Sequence, residues 1–142
     1  MNTSWLIAID GSEPSLKVVD YVITEAASRL AKPQLFLVNV QAPLSNDITR
    51  FIEEKVVEDY HREAGDAALA QARQKLDAAR LGYTSHIMIG ETAPTLIEFA
   101  TDKSCSLIVM GARGLGSVTG LLLGSVAVKV VKLSTVPVLL VK

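Results

Sequence analysis

Cysteine is almost absent from this 142-residue chain: Cys105 is the only one, so no internal disulfide can form. It opens an apolar run and reads as a plain buried thiol, a usage that suits a reducing compartment. Charge is scarce as well. Charged residues make up 20% of the chain, the net charge is −1 at pH 7, and no basic patch stands out. That removes the electrostatic footprint nucleic-acid binding requires. No apolar run approaches the roughly 18 residues of a membrane-spanning helix. The opening Met1–Ser12 stretch lacks the charged region and long apolar core of a secretion signal. A soluble, cytoplasmic protein with neither nucleic-acid nor membrane partners is the expectation. Catalytic signatures are missing too. There is no Gly-Lys pair for a P-loop, no G-x-S-x-G elbow, and no Cys/His set at metal spacing. His61 and His86 stand alone and read as structural or exposed.

What the chain does have is apolar substance. At 49% hydrophobic it can bury a real core, and its length matches one domain over residues 1–142. Five short apolar runs, at residues 5–9, 35–40, 84–89, 107–110 and 136–141, are near-continuous, as strands covered on both faces read. Helical patterns lie between them. Leu16, Val19, Ile23, Ala26 and Leu30 recur at steps of three and four, behind Ser12 as N-cap and Pro14 in the first turn. A longer helix starts near Ile52 and ends at Leu81-Gly82, its charge-rich run Glu53–Glu63 forming a solvated face. Thr92 caps a third helix, and a fourth runs from about Ser125 to Leu133. Residues 41–50, with Pro43, Ser45 and Asn46, read as a mobile loop. Such alternation predicts an α/β fold: an open five-stranded parallel sheet with helices on both faces.

The unusual stretch is residues 111–124, where five glycines stand between the fourth strand and the fourth helix. Glycine costs conformational entropy at each position. Either this loop turns sharply or something comes close to its backbone. In open parallel sheets ligands bind beyond the C-terminal ends of the strands, which is where this loop begins. Its far end, Gly124-Ser125, opens a helix whose free N–H groups and dipole suit phosphate. The dinucleotide fingerprint G-x-G-x-x-G is missed, because Gly114, Gly116 and Gly120 are spaced G-x-G-x-x-x-G and follow the fourth strand.

The loop does show G-x-x-G, nine residues, then G-S: Gly111, Gly114, Gly124, Ser125. This closely resembles the ATP-binding motif of the universal stress protein family. The likeness extends along the chain: Asp10 in "AIDGS", "LVNV" ending the second strand, "GETAPTLIEFA" as a Gly-x-x-x-Pro helix opening, "LIVMGARG" leading into the loop, and "VPVLLVK" at the end. It implies a Rossmann-like fold of the adenine-nucleotide alpha-hydrolase type that binds ATP, with Mg²⁺ held mainly by the phosphates. By the resemblance Asp10, beside Ile9, would meet the ribose or the first phosphate. The Val40 backbone would hold the adenine edge, and Met110 would line the nucleoside cleft. Gly111 and Gly114 would pass close to ribose and phosphate, and Gly124, Ser125 and the Val126 N–H would hold the phosphates. Arg113, the one cation of the loop, either touches phosphate or is solvated. Two positions depart from the family pattern: Ser106, where Asp is frequent, and Asn39, where His is.

Bland readings stand beside these. Asp10 could cap the first helix or its turn, and Leu121–Leu123 could pack beneath the loop. As function, the resemblance implies a nucleotide-dependent stress-response module with little turnover. The alternatives are a slow ATP hydrolase or autophosphorylating enzyme on the same fold, and a nucleotide-free stress protein acting through partners. A phospho-receiver is disfavoured, because "HIMIG" offers no acid at the end of the third strand. The last strand, "TVPVLLVK", carries Pro137 at its start and a single charge at its tip. It reads as an edge strand, and a homodimer through Val136, Val138 and Leu140 is expected.

Overall fold

The five apolar runs pair into one sheet. In the computed structural model, which describes residues 3–113 and 123–142, they form β1 (Ser4–Ala8), β2 (Gln34–Gln41), β3 (Thr84–Ile89), β4 (Leu107–Gly111) and β5 (Val138–Val141). All pairings are parallel, in the order β3-β2-β1-β4-β5. Between them run α1 (Glu13–Ala27), the short α2 (Asn46–Thr49), α3 (Glu54–Ala78), α4 (Thr92–Asp102) and α5 (Ser125–Leu133).

The alternation of side chains along each strand feeds two cores. Ile7, Leu35, Leu37 and Val109 face α1 and α3, where they meet Val18, Val22, Leu69 and Leu76. Leu6, Val38 and Ile108 face α4 and α5, where they meet Leu96, Phe99, Ala127 and Val130. Leu6 and Ile7 are adjacent and both wholly buried, which only a strand covered on both faces allows. The chain therefore builds outward from β1 to β3 on one side, then crosses back to place β4 and β5 on the other.

Four details differ from the expectations. The stripe through Leu30 is cut short: α1 ends at Ala27 and Leu30 is fully exposed. Just past its end the Lys32 ammonium donates to the Ala26, Ala27 and Arg29 carbonyls at 2.9, 3.1 and 2.7 Å, a cation bonding carbonyls at a helix C-terminus. The stretch read as a mobile loop contains α2, capped by the Ser45 hydroxyl on the Ile48 N–H. Leu44, Ile48, Ile52, Val56, Val57 and Tyr60 form an apolar groove of about 290 Å³ between α2 and the start of α3. The third helix, α4, has Glu91 rather than Thr92 at its cap position and no side-chain cap. The last strand starts at Val138 rather than Val136, because Pro137 lacks an N–H and contributes only its carbonyl, which accepts from Ile108 N at 3.0 Å.

Leu37→Ala empties a fully buried site on the α1–α3 face, so it should cost about 2–5 kcal/mol in urea denaturation. Leu30→Ala removes the same atoms from an exposed site and should stay within about 0.5 kcal/mol of the parent.

Candidate functional site

The strand order puts a topological switch at β1. The connection from β1 leads to β2 on one side, while β4 lies on the other. In an open parallel sheet of this order the crevice lies beyond the C-terminal end of such a strand, here β1, between loops that diverge. Ile9, Asp10 and Gly11 emerge at its floor. Gly11 has φ +85°, a left-handed conformation, and a Cβ there would stand 3.2 Å from the Ala68 Cα of α3. Only glycine meets both demands easily. The chain then turns into α1 through a local network. The Asp10 carboxylate accepts from the Ser12 N–H at 2.8 Å and from the Ser12 hydroxyl at 2.5 Å. The same hydroxyl accepts from Ser15 N at 3.4 Å, making Ser12 the N-cap of α1 as expected. Asp10 thus has a structural task in the turn, and Ser12 fixes one of its oxygens; the sequence reading gave Ser12 the cap alone.

On one side of Asp10 stands the end of β2. Ile9 N donates to Val38 O at 2.9 Å, and register pairing between β1 and β2 stops there, at Ala8–Val38. Alternate residues of a strand direct their N–H and C=O to the same side, so those of Val40, like those of Val38, point toward β1. By Val40, however, the paired part of β1 has ended. The next acceptor along, Ile9 O, is taken instead by the Asn39 side chain, whose Nδ2 donates to it at 2.8 Å. Among the described residues no hydrogen bond joins the Val40 N–H or C=O to the β1 side. A backbone donor and acceptor, side by side, overhang the crevice.

On the other side stands the end of β4. The Met110 side chain is buried with Leu6, Ile108 and Ala127 at the core's crevice end. Gly111 answers the question its loop raised. A Cβ there would stand 2.7 Å from the Arg113 carbonyl and 3.5 Å from Pro14, so this glycine serves a sharp turn against α1. Ala112 N donates to Val141 O at 2.9 Å, and Gly124 N donates to Ala112 O at 2.7 Å. The two ends of the glycine-rich segment are therefore tied together beside the crevice. Gly124 itself has φ −67° and ψ 158°, extended values that any residue adopts, so the backbone conformation does not demand glycine there. It caps α5 without a side chain. The first intrahelical bond is Val128 N to Gly124 O, which leaves the amides of Ser125, Val126 and Ala127 at the positive end of the helix.

Ile9, Asp10, Val40, Met110, Gly111, Gly124, Ser125 and Val126 therefore all stand at the C-terminal edge of the sheet, on β1, on its two neighbours or on the helix tied to β4. Arg113 is exposed at the start of the loop. Gly114 lies outside the described residues, as do Leu121 and Leu122, while Leu123 is exposed. Ser106 sits at the opposite end of β4, where its N–H and hydroxyl both donate to Ser4 O, at 2.8 and 3.2 Å. Neither histidine shows catalytic geometry. His61, on α3, is buried with Nε2 3.1 Å from Ala42 O. His86 packs against Phe36 and Phe99, and burial, helped by the Lys103 charge, lowers its pKa. Burial likewise raises the pKa of the free Cys105 thiol. Gln41, expected to open a mobile loop, is instead the last residue of β2. Its Nε2 donates to Asn39 Oδ1 at 2.6 Å, a role that only the fold reveals.

Comparison with known proteins agrees with this architecture. A universal stress protein of Bacillus subtilis, YxiE, is 32% identical over 150 residues covering all of both chains. One of Methanocaldococcus jannaschii, MJ0531, is 29% identical over 143 residues, covering 96% of this chain and 80% of the relative. Among solved structures, the hypothetical protein MJ0577 superposes with a TM-score of 0.83 at 24% identity, covering 100% and 96% of the two chains. A universal stress protein in complex with cAMP superposes at 0.70 with 26% identity, covering 99% and 96%. The sequence profile of the universal stress protein family matches residues 1–142, and the chain belongs to that family.

Proposed function

We propose that this chain binds ATP in the crevice at the end of β1 and acts as a nucleotide-dependent regulatory module of the cytoplasm. The observation that carries the reading is the convergence of two unserved backbone surfaces on one crevice. Val40 offers a donor and an acceptor that match an adenine edge, and the uncapped start of α5 offers amides and a dipole that suit phosphate. Asp10, held by Ser12, would accept from a ribose hydroxyl. Gly124, whose backbone conformation is open to any residue, makes sense where a phosphate must come close. Ser125 adds a hydroxyl, and Gly111, Gly114, Arg113 and Val126 complete the proposed lining. Bound ATP would bring Mg²⁺ held mainly by its own phosphates. The likeness to a universal stress protein solved with cAMP supports an adenine nucleotide as the ligand class. Turnover is expected to be slow, since the sequence offers neither a P-loop lysine nor an evident acid pair for the metal.

The same reading includes a homodimer through β5. That strand lies at the sheet edge and pairs only with β4 among the described residues. Val136, Val138 and Leu140 are only partly buried against the core, and Val131 and Leu133 of α5 are exposed. An apolar edge with open N–H and C=O groups is completed by a second copy across a two-fold axis. No helix among the described residues is long and apolar enough to cross a membrane.

Calorimetric titration with Mg-ATP should show saturable binding, with AMP weaker because it presents fewer phosphates to α5. No heat, together with no nucleotide in the purified protein, would contradict the reading. Ser125→Ala should remove one hydrogen bond to a charged oxygen, about 1.5–3 kcal/mol, or about 10- to 150-fold in affinity. Gly124→Val should weaken binding further while leaving ligand-free thermal stability nearly unchanged, because valine tolerates the extended backbone. Unaltered ATP affinity in Gly124→Val would place the phosphates elsewhere. For the dimer, equilibrium sedimentation should report about twice the 15.2 kDa chain mass, and Val138→Asp should shift it toward monomer. A monomer at all micromolar concentrations would rule the interface out.

A further inference from the structure

We infer that Asn39 is the positioning residue that creates the base-reading edge: its side-chain amide takes the rung of the β1–β2 ladder that would otherwise consume the Val40 N–H. In a parallel pair the bonds continue rung by rung while both strands run on. Val38 makes its rung, accepting from Ile9 N at 2.9 Å. The following rung would run from Val40 N to Ile9 O. Asn39 Nδ2 donates to that oxygen at 2.8 Å, and among the described residues no bond runs to it from Val40 N.

The arrangement is held from both ends. Asn39 is 2% exposed, so its carboxamide needs partners of its own. Its nitrogen must face the Ile9 carbonyl, since two oxygens would repel. With the nitrogen so placed, its oxygen accepts from Gln41 Nε2 at 2.6 Å. Gln41 in turn is anchored on the far side of β2, where its carbonyl accepts from Gly90 N at 3.0 Å. The relay therefore runs from β3 through Gln41 and Asn39 to the residue before Asp10, and one bond serves both walls of the crevice. It frees Val40 and pins the carbonyl next to Asp10.

The chemistry specifies what such an edge prefers. An N–H beside a C=O accepts adenine, whose N1 is an acceptor and whose 6-amino group is a donor. Guanine presents the reverse pattern at the same atoms and leaves both protein groups unmatched, which is the costly way to be wrong. Asn39 would thus set base selectivity without touching the base. This part rests on the proposed nucleotide reading; the freeing of the Val40 amide does not.

Two measurements on the full chain test the inference. The first is NMR amide exchange without ligand. The Val40 amide should exchange faster than that of Val38 in the parent, and at least about tenfold slower in Asn39→Leu, where the rung can close. Asn39→His keeps an N–H donor and should restore fast exchange. The second is titration with Mg-ATP and Mg-GTP. The parent should prefer ATP by at least about tenfold, and Asn39→Leu should bring the two within about threefold, chiefly through loss of ATP affinity. A Val40 amide as protected as that of Val38 in the parent would overturn the assignment. So would an Asn39→Leu protein that loses ATP and GTP affinity by one common factor, the mark of a general structural defect. A parent with a fast Val40 amide that binds neither nucleotide would remove the nucleotide reading and leave the assignment standing.

Discussion

The position of β1 governs the rest of this molecule. It is paired on both sides and covered on both faces, and Leu6 and Ile7 are removed from solvent altogether. Burial of that kind is worth about 1.5–3 kcal/mol for each large aliphatic side chain. It also carries a geometric consequence. A strand enclosed on four sides can reach the surface only at its ends, and the end followed by α1 is where the two halves of the sheet part company. Asp10 emerges there because no other exit from the core exists for it.

The crevice that results is made chiefly of backbone. Side chains account for Asp10, Ser12 and Asn39, but the groups that face outward at Val40 and at the start of α5 are amides and a carbonyl. Such groups are ordinarily consumed by secondary structure. Two local interruptions leave them available here. At β2 a side-chain amide substitutes for a rung of the ladder, and at α5 a glycine stands where a capping side chain would otherwise be. Tying the ends of the glycine-rich segment together through Gly124 N and Ala112 O holds the second interruption beside the first.

Much of this was legible in the chain itself, and the exceptions have physical causes. Strands covered on both faces read as unbroken apolar runs, so the sheet and its parallel character could be anticipated from "LFLV" and "LIVM". Ser12 declared itself as a cap through its place before Pro14. Leu30 misled because helical spacing continues past Ala27, while the chain leaves the helix there and a lysine reaches back to three carbonyls around its end. The helix α2 is too short for periodicity to register. Met110, expected to line the cleft, packs its side chain into the core at the crevice end, since β4 alternates and that position faces α4 and α5. The glycines of residues 111–124 were visible as a group but not by their separate reasons. Gly111 is required by a carbonyl two residues on, and Gly124 by nothing in its own conformation. Asn39 was noticed only as a departure from a family pattern, because which acceptor its amide meets depends on where β1 ends.

The central claim is that one adenine nucleotide spans the crevice from Val40 to the first turn of α5. Backbone amide shifts recorded during titration with Mg-ATP test it most directly. The account predicts saturable changes at Val40, at Asp10 and at Ser125 to Ala127 with one common affinity, and little change along α4 or at the apolar groove beside α2. Shifts confined to the groove, or shifts at Val40 without any at the start of α5, would contradict it.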